Sequence, residues 1–339
     1  MTFVFGGLVE YRKPFFERVR ALLAEHDVAV DVMYEPPREH NLKRGNLTEL
    51  GWGQLSRPRI IPVGKRELVW QRYTPAVRNA DLVIVLQHAQ FLLNYWLLLR
   101  QSLGRKRVAF WGHGRNLQAA RASRLGEAVK RRVSRWAHWW FAYTELSAEI
   151  VRSLGYPSAR ITVVQNSIDT RSLSAAYGAW GPAQLARVKA DLGIESDNVG
   201  VYSGHLDEEK RIPFLIEAAS RVRKVVADFE LIVIGGGQDT ALAVEAAREH
   251  PWIHYVGPLF GPAKAPYFAL AKVLMVPGPL GLVVLDSFAL ETPLVGSTSV
   301  DHGPEIDYLE PGVNGLLVDD GSDPAAYADA VVGYLRDPE

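Results

Sequence analysis

The chain has 339 residues, and at about 150 residues per domain that length suggests two domains. Apolar residues make up 48% and charged residues 22%, which excludes wholesale disorder. Lys plus Arg and Asp plus Glu are both 38, so net charge selects no partner, and the absence of cysteine excludes disulfides, thiolate metal sites and a cysteine nucleophile.

Short apolar strands alternate with amphipathic helices, the pattern of parallel βαβ units. In chain order the first series reads as strand 3–5, helix 14–24, strands 28–33 and 82–86, helix 91–101 and strand 108–111. A long basic helix 117–134, strand 139–142, helix 147–154 and strand 161–164 complete it. Residues 36–58 have little periodicity and are expected to form an active-site or acceptor loop. Residues 167–197 are polar and small, with a weak helix at 183–191, and hold the interdomain connection. The second series has strands 200–203, 231–234, 254–256, 273–276, 294–295 and 315–318. Its helices are 213–226, 240–250, 265–271, 282–290 and 324–335. The expected fold is α/β, with one Rossmann-like domain over residues 1–175 and another over 176–339. Parallel α/β domains bind ligands outside the carboxyl ends of their strands, so the strand-to-helix turns carry most of the functional information.

The neutral total hides an asymmetry. Residues 100–135 contain eleven basic residues and one acid, Glu127. Such a face fits an anionic partner on one side, such as a membrane surface, because Trp136, Trp139 and Trp140 follow it and Trp favours interfaces. The same residues also fit a solvated helix with tryptophans in the core. No signal peptide is visible, since Glu10, Arg12 and Lys13 follow the first apolar residues at once, and the apolar run 91–99 is too short to span a bilayer. A cytoplasmic protein, peripheral at the inner membrane face, is expected, with no nucleic-acid partner.

Three turns carry candidate chemistry. Ser203-Gly204-His205-Leu206-Asp207-Glu208-Glu209-Lys210-Arg211 follows a strand and opens a helix. A glycine lets backbone approach a ligand, a helix start favours an anion, and Lys210 and Arg211 add charge. A solvated helix start would look the same. Gly278-Pro279-Leu280-Gly281-Leu282-Val283-Val284-Leu285-Asp286 is a glycine-rich turn opening an apolar helix with one acid. The amides at Gly281, Leu282 and Val283 suit a phosphate, and Asp286 suits two vicinal hydroxyls of a ribose. A buried core helix whose acid is satisfied by backbone fits equally. Gly112-His113-Gly114 places a histidine at a strand end but lacks the third glycine of a dinucleotide fingerprint. His113 is thus a candidate for the cleft or a structural histidine. Gly235-Gly236-Gly237 is a further backbone-approach turn.

Together these pieces resemble the family 4 retaining glycosyltransferases of the GT-B fold, in order and spacing over nearly the whole chain. Gln165-Asn166-Ser167 looks like the end of that family's first domain, and 203–210 like its phosphate motif. Residues 278–286 look like its two-acid motif, and His302-Gly303-Pro304-Glu305-Ile306 through Asn314-Gly315 like its C-terminal signature. The resemblance implies two Rossmann-like domains facing across a cleft. It also implies transfer of a hexose, with retention, from a nucleoside diphosphate sugar to the hydroxyl of a glycan, lipid-linked or small-molecule acceptor. It implies no metal and no cofactor beyond that co-substrate. Lys210 and His113 would be catalytic. Gly7, Gly204, His205, Lys210, Arg211, Gly235, Gly281, Leu282, Val283 and Asp286 would bind the donor, and Arg12 the acceptor. Two departures stand out: His205 replaces the usual Arg, and Gly278 and Asp286 replace two Glu. They motivate the alternative of a non-catalytic GT-B scaffold, and a nucleotide-sugar epimerase on the same two-domain scaffold is a further alternative.

Overall fold

A computed structural model describes residues 1–36, 48–64, 66–114, 132–319 and 322–336. The chain divides after Asn166 into two compact units. The first unit contains β1 (Thr2–Phe5), α1 (Lys13–Ala24), β2 (Asp31–Tyr34), β3 (Gln54–Leu55), β4 (Arg59–Val63) and β5 (Arg66–Trp70). It continues through α2 (Pro75–Asn79), β6 (Leu82–Leu86), α3 (Leu92–Ser102), β7 (Arg107–Gly112), β8 (Trp139–Ala142), α4 (Glu145–Ser153) and β9 (Ile161–Val163). Its seven-stranded sheet runs β3-β2-β1-β6-β7-β8-β9, all pairs parallel. Strands buried on both faces alternate between two cores. Val4, Val83, Val85, Phe110 and Trp140 face one side, and Phe3, Phe5, Ile84, Ala109 and Trp111 the other.

The second unit opens with α5 (Thr170–Gly178), α6 (Pro182–Leu192), β10 (Val199–Ser203), α7 (Ile212–Val225), β11 (Glu230–Ile234) and α8 (Thr240–Glu249). It ends with β12 (Ile253–Gly257), α9 (Ala265–Leu270), β13 (Val273–Met275), α10 (Val283–Ala289), β14 (Leu294–Ser297), β15 (Gly315–Val318) and α11 (Pro324–Arg336). Its six parallel strands run β12-β11-β10-β13-β14-β15. Here Tyr202, Leu231, Val233 and Met275 face α7 and α11, while Val201, Ile232, Ile234 and Leu274 face the opposite core.

Two differences from the sequence reading have local causes. The expected division between residues 175 and 176 falls inside α5. Asp169 caps this helix through Ser172 N (3.2 Å), and Leu173 packs into the second unit's core. β4 and β5 form an antiparallel hairpin that hydrophobic alternation does not announce, because β4 is exposed along its whole length. Of the basic helix 117–134, residues 117–131 lie outside the described residues, as do residues 37–47 of the loop 36–58, whose described part contains β3. Among the tryptophans that follow, Trp140 is fully buried while Trp136 is 48% exposed.

The Tyr327 hydroxyl on α11 is buried and donates to the Val295 carbonyl on β14 at 2.6 Å. That carbonyl also accepts from Val276 N at 3.0 Å, so Tyr327→Phe removes one of its two bonds and should cost about 0.5–1.5 kcal/mol, read as a lower urea midpoint with unchanged m-value.

Candidate functional site

In the second unit, β10 has β11 on one side and β13 on the other, so the strand order reverses between β10 and β13. Open parallel sheets bind ligands at such a switch point, outside the carboxyl ends of the strands. The turns leaving β10 and β13 are the two glycine motifs, and they are in contact.

The contact is backbone against backbone. A Cβ added to Gly278 would lie 2.6 Å from Lys210 Cα and 2.7 Å from the Glu209 carbonyl oxygen. No side chain fits there, so the acid missing from this position is excluded by packing. The neighbouring cations clamp the same turn. Lys210 Nζ donates to the Pro279 carbonyl at 2.6 Å, and Arg211 Nη1 donates to the Pro277 carbonyl at 3.3 Å and to Ser299 Oγ at 3.2 Å. Arg211 also lies 4.1 Å over the Phe214 ring and takes the left-handed conformation (φ 58°) where α7 starts. His302 holds the turn from the β14 side. Its Nδ1 accepts from Leu280 N (3.0 Å), so Nε2 carries the proton donated to the Ser297 carbonyl (2.8 Å). Burial lowers the His302 pKa, and Lys210 adds to the shift, which keeps the ring neutral. Glu305 is buried beside this turn, and its Oε2 sits 2.7 Å from where Gly303 would carry a Cβ.

Other expected donor residues are placed differently from their sequence reading. Asp286 is 7% exposed, and its Oδ2 accepts from the equally enclosed Lys264 Nζ at 2.5 Å. A carboxylate expected to meet ribose hydroxyls is therefore already paired inside the unit. Gly281, Leu282 and Val283 precede or begin α10, which has seven residues and only a small dipole. The Gly281 carbonyl accepts from Val284 N at 3.1 Å. Gly235 (φ 159°) meets the β10 turn so closely that a Cβ would lie 2.0 Å from the Gly204 carbonyl oxygen. The 235–237 glycines thus serve loop-on-loop packing. The His205 carbonyl accepts from the Tyr202 hydroxyl at 2.6 Å, fixing the turn through backbone.

The first unit has its own switch point, between β1 and β6. Gly7 follows β1 and faces open space. Arg12, expected to meet an acceptor, is 8% exposed. Its guanidinium donates to the Tyr143 hydroxyl at 2.7 Å and lies 5.0–5.5 Å from the ring centres of Trp111, Tyr11, Phe5 and Tyr143. A flat, weakly hydrated cation suits such a box, which ties the residue 6–12 loop to β7 and β8 and leaves only an edge of Arg12 for a ligand. His113 stands beside it, perpendicular to the Tyr143 ring at 4.5 Å. Gly112 (φ 152°) and Gly114 (φ 74°) make the turn, and a Cβ on Gly114 would lie 2.6 Å from Val151. Burial, then His88, then Arg12 lower the His113 pKa to about 4, so the imidazole is neutral at pH 7. Its buried Nδ1 has no hydrogen-bond partner among the described residues.

Sequence reasoning missed Lys264 and Tyr143, which carry no motif signal, and gave no role to Trp111, which directly precedes Gly112-His113-Gly114. His302 and Glu305 lay within a quoted signature without an assigned role.

Two outcomes follow from this geometry. Gly278→Glu, which restores the acid of the family pattern, should destabilise the protein by about 1–3 kcal/mol in urea unfolding, because the side chain collides with the Lys210 backbone. His113 binds its proton more weakly when folded, at about 4 against about 6.5 unfolded, so its contribution is complete above pH 6.5 and is lost as pH falls towards 4. His113→Gln should therefore flatten the acid side of the stability–pH curve, measured by urea midpoints from neutral pH downwards.

The comparisons with known proteins agree with this architecture. The pattern described as Glycosyltransferase Family 4 matches residues 15–172, and the one described as Glycosyl transferases group 1 matches residues 197–337. A glycogen synthase of Mycobacterium tuberculosis is 28% identical over 57% of this chain and 44% of its own length. A D-inositol 3-phosphate glycosyltransferase of Acidothermus cellulolyticus is 29% identical over 56% of this chain and 43% of its own. The matched segment spans less than half the length of these curated relatives. Among solved structures, the Anabaena protein Alr3699/HepE in complex with UDP and glucose superposes with a TM-score of 0.66 at 13% identity, covering 99% of this chain and 90% of that one. The fold is GT-B, built from two Rossmann-like domains, and the chain belongs to the family 4, group 1 glycosyltransferases.

Proposed function

We propose that the protein transfers a hexose from a nucleoside diphosphate sugar to the hydroxyl of a carbohydrate, lipid-linked or small-molecule acceptor, with retention at the anomeric carbon and without a metal. The observation that supports this most is the clamp at the second unit's switch point, where Lys210 and Arg211 both reach the 277–279 turn. The leaving group is a diphosphate. Cations held in place before the bond breaks stabilise its developing charge without reorganisation. Lys210 would exchange its bond to the Pro279 carbonyl for a phosphate oxygen. His113 would act as a neutral hydrogen-bonding group toward the donor sugar, since its low pKa removes it as an acid at pH 7.

A second reading, a GT-B protein that binds donor without turning it over, is favoured by Gly278, where packing leaves no room for a sugar-binding acid. Product analysis with UDP-, GDP-, ADP- and TDP-sugars over a broad acceptor panel separates the two. Binding without transfer or hydrolysis supports the second.

Lys210→Ala should weaken nucleoside diphosphate binding about tenfold to a hundredfold while leaving nucleoside binding nearly unchanged, and Lys210→Arg should retain most of it. Calorimetry showing equal losses for both ligands would refute the phosphate role.

A further inference from the structure

The first unit carries an apolar face that its core does not use. α3 buries Leu93, Leu97 and Leu98 against the sheet. Its opposite side is also apolar: Tyr95, Trp96, Leu99 and Leu103 are 37–60% exposed, at spacings that form one stripe. Trp136, 48% exposed, adjoins the helix end, where Gln101 donates to its carbonyl. At the other end the Tyr95 hydroxyl reaches back to the Ala89 carbonyl (3.0 Å), and the next carbonyl, Gln90, accepts from Val69 N on β5 (2.8 Å). That bond joins the stripe to the β4–β5 hairpin, whose Ile61, Val63 and Trp70 are exposed as well.

The charge on these elements is predominantly positive. Residues 59–63, 66–70, 92–107 and 132–138 hold eight basic residues and one acid, Glu67. Arg132 lies 5.6 Å over the exposed Trp136 ring.

We propose that this face docks on an anionic lipid bilayer, an inference that goes beyond the transferase reading and does not depend on it. Exposed Trp and Tyr sit favourably at headgroup level, Leu99 and Leu103 enter the acyl boundary, and the arginines meet lipid phosphates. A second copy of the chain fits worse, because a twofold axis would set the cationic face against itself. No helix among the described residues is long and apolar enough to cross a membrane, so the contact lies on the surface.

The test is sedimentation of the full chain with vesicles of phosphatidylcholine alone or mixed with phosphatidylglycerol, at low and high salt, with no donor or acceptor present. Binding should appear on the anionic vesicles, fall with salt, and shift tryptophan emission to the blue. Leu99→Glu with Leu103→Glu should lower partitioning at least tenfold, and Arg132→Glu should lower it less. The control Leu242→Glu with Val244→Glu, at exposed positions on α8 of the other unit, should leave it unchanged. Circular dichroism checks that each variant is folded. Absence of binding to anionic vesicles, binding indifferent to the Leu99 and Leu103 changes, or a dimer in light scattering that those changes abolish would each overturn the proposal.

Discussion

Two backbone segments approach each other at the carboxyl end of the second sheet's strands, and the approach is possible only because residue 278 has no side chain. A Cβ there would lie 2.6 Å from Lys210 Cα. Once the turn after β13 rests on the turn after β10, its carbonyls at 277 and 279 fall within reach of Arg211 and Lys210. His302 can then hold the Leu280 amide from the β14 side. The clamp that supports the functional reading therefore depends on one glycine, and the same glycine removes an acid that the family pattern normally carries. Structural need and lost side-chain chemistry are one feature here.

The two switch points hold positive charge in different ways. In the second unit the cations bond to carbonyl oxygens, and an acid, Asp286, is matched by Lys264 in an enclosed pair. Removing either partner of such a pair leaves a charge uncompensated, so the two act as one unit. In the first unit Arg12 is enclosed by four aromatic rings and a tyrosine hydroxyl. That positive neighbour and the low-dielectric surroundings keep His113 neutral. The first arrangement suits contact with anions, and the second keeps an uncharged imidazole in a fixed place.

Much of this was legible from residue order. Strand and helix alternation located every strand of both large sheets except the two-residue β3, and the glycine turns fell at strand ends. What each side chain does there was less legible. Asp286 reads as a ribose ligand until Lys264, on another helix, is seen beside it. Arg12 reads as a loop cation until Trp111 of β7 and Tyr143, just past β8, are brought against it beside Phe5 and Tyr11. Gly235 reads as a ligand-approach glycine, whereas its neighbour is the Gly204 carbonyl. In each case the deciding partner is far away in sequence, and no local spacing encodes it.

By itself the sequence determined the two α/β series, the family pattern and the positions of the turns, because periodicity and glycine placement are local properties of the chain. Tertiary structure alone decided which charges are paired, which turn touches which, and that the outer side of α3 remains apolar and exposed. Those outcomes depend on contacts between strands and helices that only the order of strands in each sheet brings together.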